Sequence, residues 1–416
     1  VKHLVLGGGP AGLFAAWHLR ARGEEVEVWE ANSEIGGWAQ TLSWQECHTL
    51  EKGPQSLSWK RGSALDRLLR DLDLPFQPSV SKPRWILKQG TLHLLPWGLG
   101  WLRSDLLSRS ARLRLLLEPV QGTSPFEESL EDFVARRLGH RFARDILPAL
   151  CASLLAAPPG EVDAAVLPIL GRLEAKGGLA REAIRSAFGR TREQRIVPLG
   201  GIGALMEALA SPLRIRRNQR ALNIEPEEKR WRVVGESLGK GISDAIETRA
   251  DQIWLALPAF EAAPLLRKTS PEAAELLARI PYRSLGTWHS RHVVTPELAQ
   301  GFSLLLDPAQ AQGCLGCTAR PAGPGQIQLR SHFQPGAVPT VRGLEILLQG
   351  WLPGLGTIQE AVLINAERAI PSPLPGQMAQ LNAAMEELPK SLRWIGVPRF
   401  GAGLVETFEG IRRVFA

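Results

Sequence analysis

The sequence predicts an α/β fold: a Rossmann-like dinucleotide-binding domain, a mixed α+β substrate domain, and a helical insertion between them. Three observations predict it. A short apolar run at 3–6 leads into Gly7, Gly9 and Gly12 in the order G-x-G-x-x-G, followed by helical periodicity over 13–20 and period-two alternation over 25–29. Residues 91–190 are rich in Leu, Arg and Ala and read mainly as helices, for example over 105–117, 129–138 and 178–188. Strand-like runs return at 213–215, 231–234 and 252–257, with turn-prone Glu225-Pro226-Glu227-Glu228 between them.

The opening βαβ unit has a chemical reading. Glycines at a strand-to-helix junction keep the turn tight, let the backbone approach a pyrophosphate, and aim a helix N-terminus at its charge. Glu30 ends the second strand eighteen residues after Gly12. A carboxylate there accepts both ribose hydroxyls and repels a 2′-phosphate. Six residues later comes Glu34-Ile35-Gly36-Gly37-Trp38. Its glycine pair lets the chain pass close to a second face of the dinucleotide, which is typical of FAD rather than NAD sites.

Past the insertion, residues 263–389 mix a helix at 271–279 with short strands and Pro/Gly-rich connections, and the tail after Ser391 reads as strand, glycine turn and helix. The expected organisation is a cofactor domain of 1–80, 196–262 and 390–416, a substrate domain of 81–90 and 263–389, and a helical insertion of 91–195.

Composition bounds the rest. With 416 residues, 44% hydrophobic, 22% charged and 6% aromatic, the chain is ordinary globular material and excludes disordered, collagenous and coiled-coil classes. A formal net charge of +7 fits acidic substrates or anionic lipid. No basic arm with interleaved aromatics and no finger appears, so no nucleic-acid partner is expected. Cys47, Cys151, Cys314 and Cys317 are too few and scattered for a disulfide framework, which points to a reducing, cytoplasmic setting. No leader is expected where residues 1–6 run straight into glycines, and no run of about eighteen apolar residues exists. Membrane contact is therefore expected to be peripheral. Trp97, Trp101 and several leucines beside Arg103, Arg109, Arg112 and Arg114 have the composition of an interfacial anchor, or equally of an amphipathic helix packed inside the protein with its arginines in water.

The run 7–41 resembles the FAD-binding amine oxidase and desaturase superfamily, and further segments resemble its protoporphyrinogen oxidase and coproporphyrinogen III oxidase family. These segments are Glu51-Lys52-Gly53-Pro54-Gln55-Ser56-Leu57, Arg84-Trp85-Ile86 through Gly90, Leu92 and Pro96, the R-R-L-G pair within 133–148, and 198–205. They continue through 250–258, Gly301-Phe302-Ser303-Leu304-Leu305 with Leu315-Gly316, Arg368-Ala369-Ile370-Pro371, and Gly401-Ala402-Gly403-Leu404-Val405-Glu406.

The resemblance implies that FAD is the cofactor, with Gly7, Gly9 and Gly12 at its pyrophosphate, Glu30 at the adenosine ribose, Gly36 and Gly37 towards the flavin, and Ala221 near the adenine. Pro10, Ala11, Ala31, Trp38, Gly53, Pro54, Gln55, Ser56 and Gly401 are implied as further cofactor contacts. Gly403, Leu404, Val405 and Glu406 would direct backbone N–H groups to the flavin's pyrimidine side, where reduction accumulates negative charge. Arg84 is implied as the arginine for a substrate propionate, a role its fork suits better than lysine would. The implied reaction takes six electrons from a porphyrinogen in three flavin cycles, with dioxygen as acceptor. Protoporphyrinogen IX is the leading substrate and coproporphyrinogen III its variant. Apolar residues around 276–285 are the expected walls of a macrocycle slot. No general base stands out.

Other readings weaken on the residues. An amine oxidase usually uses an aromatic cage, and Tyr282 is the chain's single tyrosine. A non-catalytic flavin-binding scaffold is motivated by Cys151-Ala-Ser-Leu-Leu-Ala-Ala157, which replaces the family's glycine-rich stretch. Cys314 and Cys317 have metal spacing but no second pair, so no metal is expected. His289 and His292, three apart in a strand-like run, fall on opposite faces and read as surface or core histidines.

Overall fold

A computed structural model of the chain describes residues 1–44, 48–79, 83–96, 98–118, 127–175, 178, 194–239 and 243–415. The glycine-rich opening folds as the alternation requires: strand Lys2–Leu6, helix Pro10–Ala21, strand Glu25–Trp29. These join a five-stranded all-parallel sheet in the order Arg214–Arg216, Glu25–Trp29, Lys2–Leu6, Gln252–Leu255, Leu392–Trp394. Both faces are covered, as near-continuous apolar strands demand. Leu4, Leu6, Ile253 and Leu255 enter one core and Val5, Val28 and Trp254 the other. A three-stranded antiparallel meander, Gln219–Glu227, Arg230–Leu238 and Ser243–Ala250, fills the connection between two of the parallel strands. Pro226, expected in a turn, instead pairs with Trp231 inside this meander.

The second unit is a seven-stranded sheet in the order Leu355–Pro371, Tyr282–Val294, Gln326–Phe333, Cys314–Pro321, Phe302–Leu305, Arg84–Lys88, Thr91–Leu94. One face is apolar: Trp288, Ile327, Leu329, Phe333, Phe302 and Leu304 pack with Leu344 and Leu348 of the helix Val341–Trp351. The other face looks towards the cofactor unit and the insertion.

Between 98 and 175 the insertion is helical where described, with helices Arg109–Leu117, Leu130–Leu138, His140–Asp145, Leu147–Leu155 and Pro168–Ala175. Ser129 starts the second of them by accepting Asp132 N–H at 3.0 Å, satisfying a donor that the helix end leaves open. Phe133 and Ile146 centre its core, and a buried ion pair of Arg137 with Glu118 at 2.6 Å lies within it.

Some expectations need correction. Thr91–Leu94, within the span read as helical, is a strand that pairs with Arg84–Lys88 because the turn at Gln89 and Gly90, both at positive φ, folds it back. The helix expected from 105 starts at Arg109. The helices Ala259–Leu266, Pro271–Ala278 and Gln377–Glu386 share their core with the parallel sheet, although most of them fall in the span read as substrate domain. Apart from Gly178, the helix expected over 178–188 lies outside the described residues, as do Cys47 and Trp97. Among the described residues, no helix is long and apolar enough to cross a membrane, and no cluster of His, Cys, Asp and Glu could hold a metal.

Candidate active site

The glycine turn is built so that backbone lies against backbone. Gly7 has φ +107°, and a Cβ on it would sit 2.7 Å from Ala256 O. A Cβ on Gly12 would run into Gly7 O. Only glycine closes both contacts, and the closure holds the helix N-terminus over the end of the first strand. Gly9 caps that helix without a side-chain hydrogen bond, Pro10 stands at its first position, and no acidic side chain occupies the first turn. The early N–H groups, including those of Ala11 and Gly12, therefore face outward with the positive end of the helix dipole.

Glu30 is buried and accepts three N–H groups: Gly8 N at 2.7 Å, and Asn32 N and Nδ2 at 2.8 Å each. Oε1 takes both Asn32 donors, so the capacity left for a ribose hydroxyl is on Oε2, which accepts Gly8 N–H alone. Ala31 follows, partly buried. Gly36 N donates to Gly8 O at 2.8 Å, so the second glycine pair is laced to the first turn. Ala221 lies in the meander two residues past Gln219, whose N–H donates to Glu30 O at 2.8 Å. Donors without side chains in front of them, a ribose acceptor and a close second glycine pair fit a dinucleotide.

Trp38 and Gly53 lie in contact, since a Cβ on Gly53 would meet Trp38 O, and Lys52 Nζ sits 4.9 Å over the Trp38 ring. Pro54, Gln55 and Ser56 continue this segment half-buried, and Arg195 donates to Ser56 Oγ at 3.1 Å. At the other end, Gly403 caps the helix Leu404–Val414, again without a side-chain hydrogen bond. Glu406 folds back against Gly403, its carboxylate filling the space a Cβ there would need. Gly401, at φ +117°, packs on Pro168 of the insertion.

The inward face of the seven-stranded sheet carries the side chains. Register sets Arg84, Ser303, Thr318, Arg330, His289 and Val362 in one row across six strands, and Ile86, Leu305, Gly316, His332, Thr287 and Ile364 in the next. At the usual strand spacing, the exposed Arg84 is roughly 19 Å from His289 along its row. The insertion covers the Ile86 and Leu305 end, where Ser153 Oγ donates to Leu315 O at 2.7 Å. Between these units a small apolar cluster gathers Ala152, Leu285, Leu315 and Ala366, with Trp38, Ala156, Ala369 and Ile370 at its edge. Leu285 is thus the member of the 276–285 stretch that reaches the meeting point, whereas Leu277 is buried in the core of the parallel sheet with Leu276 packed against it.

Beside this cluster the face is polar and buried. His289 is 2% exposed, and its Nε2 has no hydrogen-bond partner among the described residues. Burial, with the nearby Arg330 and Arg320 charges, pushes His289 down to about 3. His332 bonds Thr287 Oγ1 through Nδ1 at 2.9 Å, and burial holds it well below the usual histidine range. Burial also pushes Arg330 down to about 10, which still leaves it charged at neutral pH. On the cofactor side, Glu51 accepts Thr41 Oγ1 at 2.9 Å and Ile202 N at 3.2 Å, while burial raises its pKa.

A model of the family described as flavin containing amine oxidoreductase matches residues 10–291, more than half of the chain. The chain belongs to that family. As a member it is an FAD-dependent oxidoreductase. Among curated relatives of this oxidoreductase, the mitochondrial protoporphyrinogen oxidase of Nicotiana tabacum is 24% identical over 74% of this chain and 69% of its own length. Human protoporphyrinogen oxidase is 25% identical over 85% of this chain and 78% of its own. The coproporphyrinogen III oxidase of Propionibacterium freudenreichii subsp. freudenreichii is 28% identical over 68% of this chain, which spans 61% of that relative. Two solved structures share the fold. One, from Exiguobacterium sp. 255-15 and itself only provisionally assigned as a protoporphyrinogen oxidase, has TM-score 0.77 at 20% identity and covers 99% of this chain and 97% of that one. The other, cyclohexylamine oxidase of Brevibacterium oxydans IH-35A, has TM-score 0.74 at 18% identity and covers 100% and 97%.

The oxidoreductase's polar residues on the inward face went unnoticed in the sequence reading. Arg320, Arg330 and His332 were not singled out, and His289 was read as an ordinary surface or core histidine. A signal existed: in Gln326–Phe333, Gln328, Arg330 and His332 alternate with Ile327, Leu329 and Phe333, which is a strand with one apolar and one polar face.

Proposed function

We propose that this enzyme oxidises a porphyrinogen, protoporphyrinogen IX in the first instance, to the porphyrin. The observation that carries the reading is the extent of the similarity. Relatives named for porphyrinogen oxidation match this chain through the cofactor segments and the substrate sheet together, over 85% of it in the human case. The reaction removes six hydrogens in three two-electron rounds, and dioxygen is the proposed acceptor, leaving as hydrogen peroxide.

FAD, when bound, supplies the hydride acceptor. The chain's residues bind and orient. Ala11 and Gly12 N–H groups would hold the pyrophosphate, Glu30 would hold the ribose, and Leu404 and Val405 N–H groups would serve the pyrimidine side of the flavin. The apolar cluster of Ala152, Leu285, Leu315 and Ala366 packs on the macrocycle and keeps water from the reacting carbon. Arg84, exposed at the end of its row, takes a propionate. Tyr282 speaks against an amine site: its hydroxyl accepts Ala259 N–H at 2.8 Å and donates to Val397 O at 3.2 Å, and its ring stacks edge-on with Phe260. Coproporphyrinogen III is the second substrate reading, favoured by the 28% identical Propionibacterium relative. Turnover with each porphyrinogen, read as porphyrin fluorescence and oxygen uptake, decides between them, and no turnover with either removes the proposal.

Docking to an anionic membrane surface belongs to the same proposal. Leu94, Leu113 and Leu117 are exposed beside exposed Arg103, Arg109 and Arg114. Flotation with anionic liposomes is the test, and a protein left in the soluble fraction sinks it.

A further inference from the structure

Two arginines of the substrate sheet reach across to the cofactor unit and grip its main chain. Arg330 Nη1 donates to Gly53 O at 2.5 Å and Nη2 to Lys52 O at 3.2 Å. Arg320, diagonal to it on the neighbouring strand of the same face, donates to Thr49 O. The gripped segment leads into Pro54, and Gly53 lies against Trp38 O, so its position passes to 36–38 as well. Glu51, in the middle of the gripped stretch, turns its carboxylate the other way, to Thr41 and the first N–H of the helix Ile202–Ala210. No carboxylate among the described residues lies within ion-pair distance of Arg330. Glu51 acts on it only at longer range, and Nε has no partner among the described residues.

We infer that Arg330 is a positioning residue for the flavin: its guanidinium fork fixes the Lys52–Gly53 backbone, and its unpaired buried charge favours the reduced cofactor. The inference rests on the reading of Gly53 to Ser56 as cofactor contacts. Two consecutive carbonyls require a fork, and a lysine ammonium would reach one of them as a point charge. A fixed positive charge inside a low-dielectric seam stabilises the negative charge that a flavin gains on reduction, without reorganising when it arrives. His289 and His332, beside Arg330 on the face, are held neutral at ordinary pH, so the charges near this seam are those of Arg330 and Arg320 with Glu51 at longer range.

The test uses the holoenzyme and no porphyrinogen. Flavin is photoreduced beside an indicator dye, and its reduced-to-oxidised ratio is read at a fixed potential together with the rate of FAD loss. Arg330→Met is expected to lower the ratio at least about tenfold and to speed FAD loss about tenfold, because charge and fork both go. Arg330→Lys is expected to speed FAD loss similarly while keeping the ratio within about threefold of the parent, because the charge stays. Equal shifts of the ratio in both variants, or none in either, overturn the inference. Gly53→Ala separates it from its premise. If that variant holds FAD as the parent does, the cofactor-segment reading falls and the inference with it. If it loosens FAD while Arg330→Met leaves the ratio unchanged, the inference alone falls.

Discussion

The cofactor turn and the inward face of the substrate sheet solve opposite problems. At the turn, Gly7, Gly12, Gly36 and Gly37 lie within a few ångströms of other backbone, and glycines supply nearly everything. On the sheet, Arg330, His289, His332 and Arg320 come from three strands more than thirty residues apart at the extremes, and side chains supply everything. A site made of backbone is sensitive to volume. A site made of buried polar side chains is sensitive to charge and protonation.

Adding one carbon at the turn is the severest way to probe that contrast. Gly12→Ala pushes a methyl into Gly7 O and is expected to cost on the order of 3–5 kcal/mol and to abolish FAD retention, read from flavin absorbance and the melting temperature. A variant that stays yellow and melts with the parent would show that the turn has slack. Glu30→Ala comes next. It leaves the N–H groups of Gly8 and Asn32 without their acceptor at about 1–3 kcal/mol each, so FAD affinity should drop more than tenfold, whereas Glu30→Gln keeps an acceptor and loses less.

On the sheet the expected lever is pH. His289 is held near 3 in the native state, below the ordinary histidine value of 6.5, so the unfolded chain takes up a proton that the folded chain refuses. Its contribution to stability is complete above about pH 6.5 and declines on acidification by about 1.4 kcal/mol per pH unit until the folded pKa is reached. His332 shifts in the same direction and adds to the slope. Urea unfolding at several pH values should show a shallower slope for His289→Gln by about that amount between roughly pH 6 and 4, and an unchanged slope would contradict the neutral assignment. Arg84→Ala gives the smallest effect. An exposed arginine meeting a carboxylate is worth about 1–2 kcal/mol, so KM for a porphyrinogen should rise about five- to thirtyfold with kcat nearly kept. An unaltered KM makes Arg84 a surface residue.

The same contrast explains what could be read in advance. The βαβ opening was legible because its constraint is local: the strand, Gly7 to Gly12, the helix and Glu30 lie within thirty residues, and each residue type is dictated by a steric or hydrogen-bonding need. Leu285 is approached in the sequence only as one of the apolar residues around 276–285, since nothing in such a run tells which core each will join. Strand Thr91–Leu94 was missed because four residues next to a leucine-rich stretch carry too little periodicity to outweigh their neighbours. The grip of Arg330 on Lys52 and Gly53 depends on partners 277 and 278 residues apart, and no local pattern encodes it.

The central claim is that FAD held in this turn accepts electrons from a porphyrinogen lying on that sheet. Its most direct test is anaerobic: mix the purified yellow holoenzyme with protoporphyrinogen IX, and separately with coproporphyrinogen III, and follow the flavin absorbance before admitting air. Rapid bleaching with one of them, followed by porphyrin fluorescence and return of the flavin band in air, is the predicted result. Flavin that stays oxidised with both, in a protein that retains its FAD, would contradict it.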